Sequence, residues 1–280
     1  MKIASDHFEK GLGKALGFLV GALVLGTAFP HLLKSFTSAL PWKSVLYFTS
    51  GLAILGGALM LLLVPPGAYQ KRIRSLDHRA VFSVFKNRPF RSAAVGYFGH
   101  MWELYAFWAF VPVMLMTYKK LHPVENLNIP ALSFLIIAAG SLACIISGYL
   151  ALVFGTKRTA FTALLLSGIC CILSPLAFYL PAIPFILFLI LWGLVVIADS
   201  PLFSTMVAQN AIVHIKGTAI TLITCIGFFI TILSIELLNY LSGHYNLQYI
   251  FMILALGPLM GLLFMLKGKN KASVQANTLL

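Results

Sequence analysis

Three carboxylates, Glu103, Asp199 and Glu236, lie inside long apolar runs, and no Lys or Arg accompanies them there. An acid at the centre of a membrane span costs about 2.5–3.5 kcal/mol on insertion scales, which a run of Leu, Ile, Phe and Val offsets. Such an acid still needs a cavity or a polar partner. His100 precedes Glu103 by one helical turn, so both project from one face, together with Phe107. An imidazole and a carboxylate at this spacing can share a proton, which suits proton coupling or polar substrate binding. An interhelical hydrogen bond that fixes packing is the alternative. Asp199 precedes Ser200-Pro201, which reads as an N-cap followed by proline at the first helical position, so the helix should break and restart there. Pro201 also deprives the carbonyl four residues back of its donor. A structural break and a direct role toward substrate or ion both fit Asp199. Glu236 falls near the outer end of its run, where a structural or gate-rim use is expected. Thr221, Thr224, Phe228 and Thr231 form a stripe at helical spacing whose expected use is helix–helix hydrogen bonding.

The elements that must position these side chains are eight apolar runs, at 15–33, 45–64, 93–116, 131–154, 159–179, 185–206, 218–241 and 249–266. Each approaches the roughly 20 residues that a helix needs to cross a hydrocarbon core. With 60% hydrophobic and 10% charged residues, the expected class is an all-α polytopic helical membrane protein. The runs are too long for barrel strands and show no alternation. The net charge of +13 is explained by its placement. When loops are assigned alternately to two sides, only Lys34, Lys43, Lys119 and Lys120 of the 20 Lys and Arg fall on one side. This asymmetry places both termini in the cytoplasm and makes nucleic acid an unneeded partner. Cys144, Cys170, Cys171 and Cys225 lie within the runs, without metal-ligand spacing to histidines, and are expected to pack. The first 14 residues lack a cleavage-site pattern, so no leader is expected to be removed. No phosphate-binding glycine loop, metal-binding loop or nucleophile elbow is present, so the expectation is a protein that is not an enzyme and needs no cofactor.

The organisation expected is two spans in 1–66, a basic cytoplasmic loop over 67–92, six spans in 93–267 and a cytoplasmic tail over 268–280. Within the loop, 80–85 preceded by Asp77 has the pattern of a short amphipathic surface helix, with a solvated basic linker as the alternative. Sliding the chain along itself superposes Lys10-Gly11 on Lys216-Gly217, Gly21 on Gly227 and Gly51 on Gly257. This suggests that the first two spans repeat the last two, so that the repeating unit has six helices.

Several motifs resemble the major facilitator superfamily of secondary transporters. Lys10-Gly11-x-Gly13-x-Ala15-x-Gly17, leading to Gly21 and Gly26, is similar to that family's fifth helix, and Pro41-Trp42-Lys43 to the entry of its sixth. The stretch from Gly96-Tyr97-Phe98-Gly99-His100 through Met101-Trp102-Glu103-Leu104-Tyr105 resembles a seventh helix of one bacterial branch. Ala198-Asp199-Ser200-Pro201-x-Phe203-Ser204 and Lys216-Gly217-Thr218-Ala219 resemble that branch's tenth and eleventh. Where the family repeats its cytoplasmic loop motif, Gly155, Lys157 and Arg158 persist but Leu152 and Val153 replace the usual acid and base. The turn and the positive anchor survive; the charge pairing of the gate does not.

The resemblance implies a six-helix second bundle plus two helices of the first, with the first four helices lacking. It also implies alternating-access transport of a small polar solute in a cell membrane, with a co-transported proton or ion as a candidate partner. His100, Glu103, Trp192 and Asp199 would face the site from the second bundle. This chain alone is expected not to complete a transport cycle, and beside the lipid bilayer a separate chain that supplies the lacking helices, a second copy of the chain, or instability are the outcomes open to it. A non-transporting membrane scaffold or truncated remnant is the other reading.

Overall fold

In hydrocarbon a chain satisfies its backbone amides only within a helix or a closed barrel, so long apolar runs without alternation must be helical. The computed structural model describes residues 2–8, 11–36, 41–65, 84–123, 127–211 and 216–267. The helices are α1 (Lys2–His7), α2 (Leu12–Phe36), α3 (Lys43–Leu63), α4 (Arg88–Leu121), α5 (Ile129–Phe154), α6 (Thr156–Ala177), α7 (Ala182–Ala198), α8 (Ser200–Asn210), α9 (Lys216–Ser242), α10 (Leu247–Ile250) and α11 (Leu256–Lys267). Short 3-10 turns occupy Val84–Lys86 and Phe251–Ala255. The described residues contain no strand.

Seven segments among the described residues are long and apolar enough to cross a membrane, with α7 and α8 counted as one and α10 to α11 as another. The eighth expected span is α4, which at 34 residues is long enough, roughly 50 Å, but is not among the seven. His100, Glu103 and several tyrosines and tryptophans dilute its apolar content. The least lipid-like helix is therefore the one that carries the candidate site, and it is enclosed by α5, α8, α9 and α11.

Several boundaries differ from expectation. The run 185–206 is two helices, interrupted at Asp199. Helix α4 already starts at Arg88, because Asn87 takes an extended N-cap conformation with Pro89 in the first turn. The end of the expected loop is thus helical. Most of that loop, including Asp77 and residues 80–83 of the expected surface helix, lies outside the described residues, as does the tail 268–280. Gly155 alone separates α5 from α6, at φ 85°, a backbone conformation that a residue with a Cβ resists. That is the tight turn anticipated at this motif.

Buried apolar residues form two clusters. One contains Leu16, Phe90, Met101, Leu164, Leu202 and Phe203. The other contains Val20, Leu104, Phe107, Cys170, Trp192 and Phe251. On α4 the first ends at Met101 and the second begins at Leu104; on α6 the division falls between Leu164 and Cys170. Glu103, Ser167 and Asp199 occupy that seam, a buried polar layer between two apolar cores.

Helix α2 packs along α5, and α3 touches α2 while burying none of its own residues. Helices α4 and α11 meet at Gly99 and Gly257, where a Cβ built on either glycine collides with the other's carbonyl oxygen. Backbone cannot yield as a flexible side chain can. Gly257→Leu is therefore expected to cost about 3 kcal/mol, the upper end for overpacking. Thermal unfolding in detergent should show a clear drop for this variant and little change for Gly56→Leu, whose added side chain meets open space. Equal melting of the two variants would refute the contact.

Candidate functional site

The helical interruption positions Asp199. Helix α7 ends at Ala198, Asp199 takes φ −85° and ψ −16°, and α8 begins with Pro201 in its first turn. The N-cap is Asp199, not Ser200 as the sequence suggested, and its side chain makes no capping hydrogen bond. It reaches α4 instead, where Oδ1 lies 2.7 Å from Nδ1 of His100. The backbone carbonyl of Asp199 accepts from the amides of Leu202 and Phe203 at 3.0 and 2.9 Å, so α8 restarts without help from the carboxylate.

His100 and Asp199 are 1% and 0% exposed. Their contact has ion-pair distance but not the alignment of a hydrogen bond, and Nε2 of His100 and Oδ2 of Asp199 have no hydrogen-bond partner. The rings of Tyr97 and Phe203 stand 6.0 and 6.3 Å from the imidazole. A buried imidazole–carboxyl pair with spare polar atoms can hold, pass or exchange a proton.

Glu103 is equally buried but fully engaged. Its Oε1 accepts from Trp192 Nε1 at 2.7 Å and from Cys171 Sγ at 3.2 Å, and its Oε2 accepts from Ser167 Oγ at 2.8 Å. Ser167 also donates to the Leu164 carbonyl at 3.2 Å. Phe107 supports the indole of Trp192, with ring centroids 4.6 Å apart. His100 and Glu103 share a face of α4, as their spacing requires, but serve different partners. The ionisable side chain that meets His100 is Asp199, across the helix interruption. Glu103 ties α4 to α6 and α7 through donors that fix packing.

All four expected residues thus converge on the polar seam. None of them lines the cavity of about 380 Å³ that their chain neighbours Met101, Leu104 and Ser200 border. Its wall is aromatic on α4 (Tyr97, Tyr105, Trp108) and carries Thr221, Thr224 and Phe228 on α9. Leu23, Ile197 and Ser200 contribute from α2, α7 and α8. Two of these residues adjoin the pair: Tyr97 stands 6.0 Å from the His100 ring, and Ser200 follows Asp199 in the chain. The α9 stripe was legible as a period, and three of its four members face this cavity; Thr231 is buried and donates to the carbonyl of Phe228 on its own helix. The α4 tyrosines were submerged in a helix crowded with aromatics, where no spacing singled them out. Glu236 is exposed, away from the seam. The described residues contain no group of three or more His, Cys, Asp or Glu that could hold a metal.

Cys225 lines the cavity and is exposed, whereas Cys144, Cys170 and Cys171 are buried. N-ethylmaleimide should therefore modify Cys225 alone in the native protein and the other three only after denaturation. Peptide mass spectrometry reads this directly, and prompt labelling of Cys144 or Cys171 would contradict the packing described.

Residues 1–235 match the family model described as Major Facilitator Superfamily. Eight chains of solved structures also match. One is a crystal structure of the E. coli fucose:proton symporter FucP, with a TM-score of 0.58 and 14% sequence identity. The match covers 84% of this chain and 56% of that one, so the chain spans little more than half the length of the symporter. At this identity the likeness is one of fold. No curated protein matches the chain.

Proposed function

The chain belongs to the major facilitator superfamily, and from that premise we propose that it serves secondary transport of a small polar solute by alternating access, coupled to a proton held at His100 and Asp199. The observation that carries this reading is the pair itself. Two ionisable side chains meet at 2.7 Å, wholly buried at an interrupted helix, and none of their four polar atoms makes an aligned hydrogen bond. A purely structural pair would be expected to satisfy those atoms, because stranded polar groups in hydrocarbon are costly. The interruption also supplies a place where a buried side chain can change partner as helices rock.

In this reading residues 93–267 form the second bundle, 1–66 belong to the first, and the cavity between α2, α4, α8 and α9 is the solute's side of the pathway. Its wall offers hydroxyls and aromatic faces and no charged side chain. Such a wall suits a neutral polar solute, with ring faces against C–H surface and hydroxyls for orientation. Monosaccharides are the first candidates, because the matched symporter is named for fucose and proton. The test is a radiolabelled-solute screen in the native host, where any completing helices are present, against the same cells lacking the gene, with and without a protonophore. Uptake that the protonophore abolishes supports the reading; no solute above background in any condition favours the scaffold.

The bare face of α3 favours a further covering element. We propose that helices from a second chain or a longer version of this one complete the first bundle there, since α3 buries none of its residues against the described part.

Both termini are proposed to be cytoplasmic, on the asymmetry of Lys and Arg. The check uses a Cys225→Ser background with single cysteines introduced at Lys86 or Asn128, both exposed. A membrane-impermeant maleimide added to intact cells should label position 128 and spare position 86. The reverse pattern would invert the topology.

A further inference from the structure

Helices α6 and α11 leave two hollows along one seam on the outer side of the bundle. The first measures about 430 Å³ and is lined by apolar side chains, among them Leu165, Ile169 and Ile172 of α6 and Leu256, Leu259 and Leu262 of α11. Its α6 residues recur at helical spacing, and Gly168 lets Pro258 approach close enough to form the floor. The second hollow, about 270 Å³, continues the same seam toward the start of α6, between Lys157, Arg158, Phe161 and Thr162 on one side and Met265 and Leu266 on the other. Phe161 and Leu165 stand one turn apart on α6, and so do Leu262 and Leu266 on α11, so the two hollows lie end to end. No acidic side chain lines either.

We propose that this seam is a binding site for one anionic glycerophospholipid, with the phosphate at Lys157 and Arg158 and an acyl chain in the groove below. Charge complementarity selects the headgroup: two cations sit at the mouth, at the positive end of α6. Depth selects the chain. From Arg158 to Ile172 the groove runs roughly 21 Å along α6, somewhat more than the ~15 Å of one leaflet's hydrocarbon. Leu165, Ile169 and Ile172 are 40%, 43% and 54% exposed, so the groove opens to lipid rather than into the bundle. The site shares no residue with the His100–Asp199 pair and does not depend on the transport reading.

The experiment uses the full 280-residue chain in detergent, mixed with equal amounts of phosphatidylglycerol and phosphatidylcholine bearing identical chains, and analysed by native mass spectrometry. The protein should retain one phosphatidylglycerol in preference to phosphatidylcholine by roughly thirtyfold, the expectation for two cations at about 1 kcal/mol each. The double variant Lys157→Gln/Arg158→Gln should lose that preference, while Lys119→Gln/Lys120→Gln keeps it. Leu259→Trp, which fills the groove, should reduce retention with the cations intact. Glycerol phosphate, which has no chains, should not compete at the concentration of the lipid. Retention of phosphatidylglycerol by the first double variant at the original level would overturn the proposal. So would equal retention of the two lipids by the unaltered protein, a measurement that needs no variant, or full competition by glycerol phosphate.

Discussion

Asp199→Asn is expected to reduce proton-coupled solute accumulation to background in cells that express the protein, without loss of the folded chain. Asparagine has nearly the shape of aspartate and can occupy the same 2.7 Å contact with His100, so the packing of α4 against α8 is preserved. What it lacks is a group that takes up and releases a proton near neutral pH. If the pair is the coupling site, the variant can still bind solute and exchange it across the membrane but cannot use a proton gradient to concentrate it. The measurement is threefold: accumulation ratio, external alkalinisation on solute addition, and solute counterflow in de-energised cells. Loss of the first two with counterflow retained is the expected pattern. A variant that concentrates solute to the normal ratio, and loses it to a protonophore as the unaltered protein does, would remove the pair from the coupling mechanism.

The second large effect concerns Glu103 and stability. Glu103→Leu withdraws the acceptor from Trp192, Ser167 and Cys171 together. These losses are unequal. Ser167 retains the Leu164 carbonyl, and a thiol is a weak donor that loses little. The indole N–H of a tryptophan 0% exposed has nowhere else to go. A stranded buried donor costs about 1–3 kcal/mol, and an interhelical hydrogen bond in a bilayer protein averages only about 0.6 kcal/mol, so the stranded indole dominates. We expect Glu103→Leu to destabilise the protein by about 2–4 kcal/mol. Glu103→Gln should cost about 1 kcal/mol or less, because its carbonyl can serve Trp192 while its amide donates to the Ser167 hydroxyl. The decisive comparison is the double variant Glu103→Leu/Trp192→Phe. Removing both partners removes the stranded donor, so the double variant should be more stable than Glu103→Leu alone. Unfolding in mixed detergent micelles, followed by far-UV circular dichroism, supplies the energies. Strict additivity of the two single changes would mean that the 2.7 Å bond does not govern the stability of this seam.

The sequence by itself determined the helical class, the approximate span boundaries and the family. Each is a property of composition, periodicity or local motif: an apolar run of sufficient length has no other way to satisfy its backbone in hydrocarbon. It also singled out His100, Glu103 and Asp199, because polar side chains are conspicuous where nearly everything else is apolar, and Trp192 through the family resemblance. Even the break at Asp199 was legible, since Pro201 cannot donate to the ladder. Which residue meets which was not legible. His100 and Glu103 are one turn apart on α4, and their spacing suggested a shared proton. The tertiary structure turns one toward α8 and the other toward α6 and α7, because pairing across helices depends on axial height and rotation, which no local spacing encodes. The same reason hid the cavity wall and the lipid-facing groove. Tyr97, Tyr105 and Trp108 acquire a common surface only when α9 lies beside α4, and Lys157 and Arg158 stand above a groove only because α11 lies beside α6.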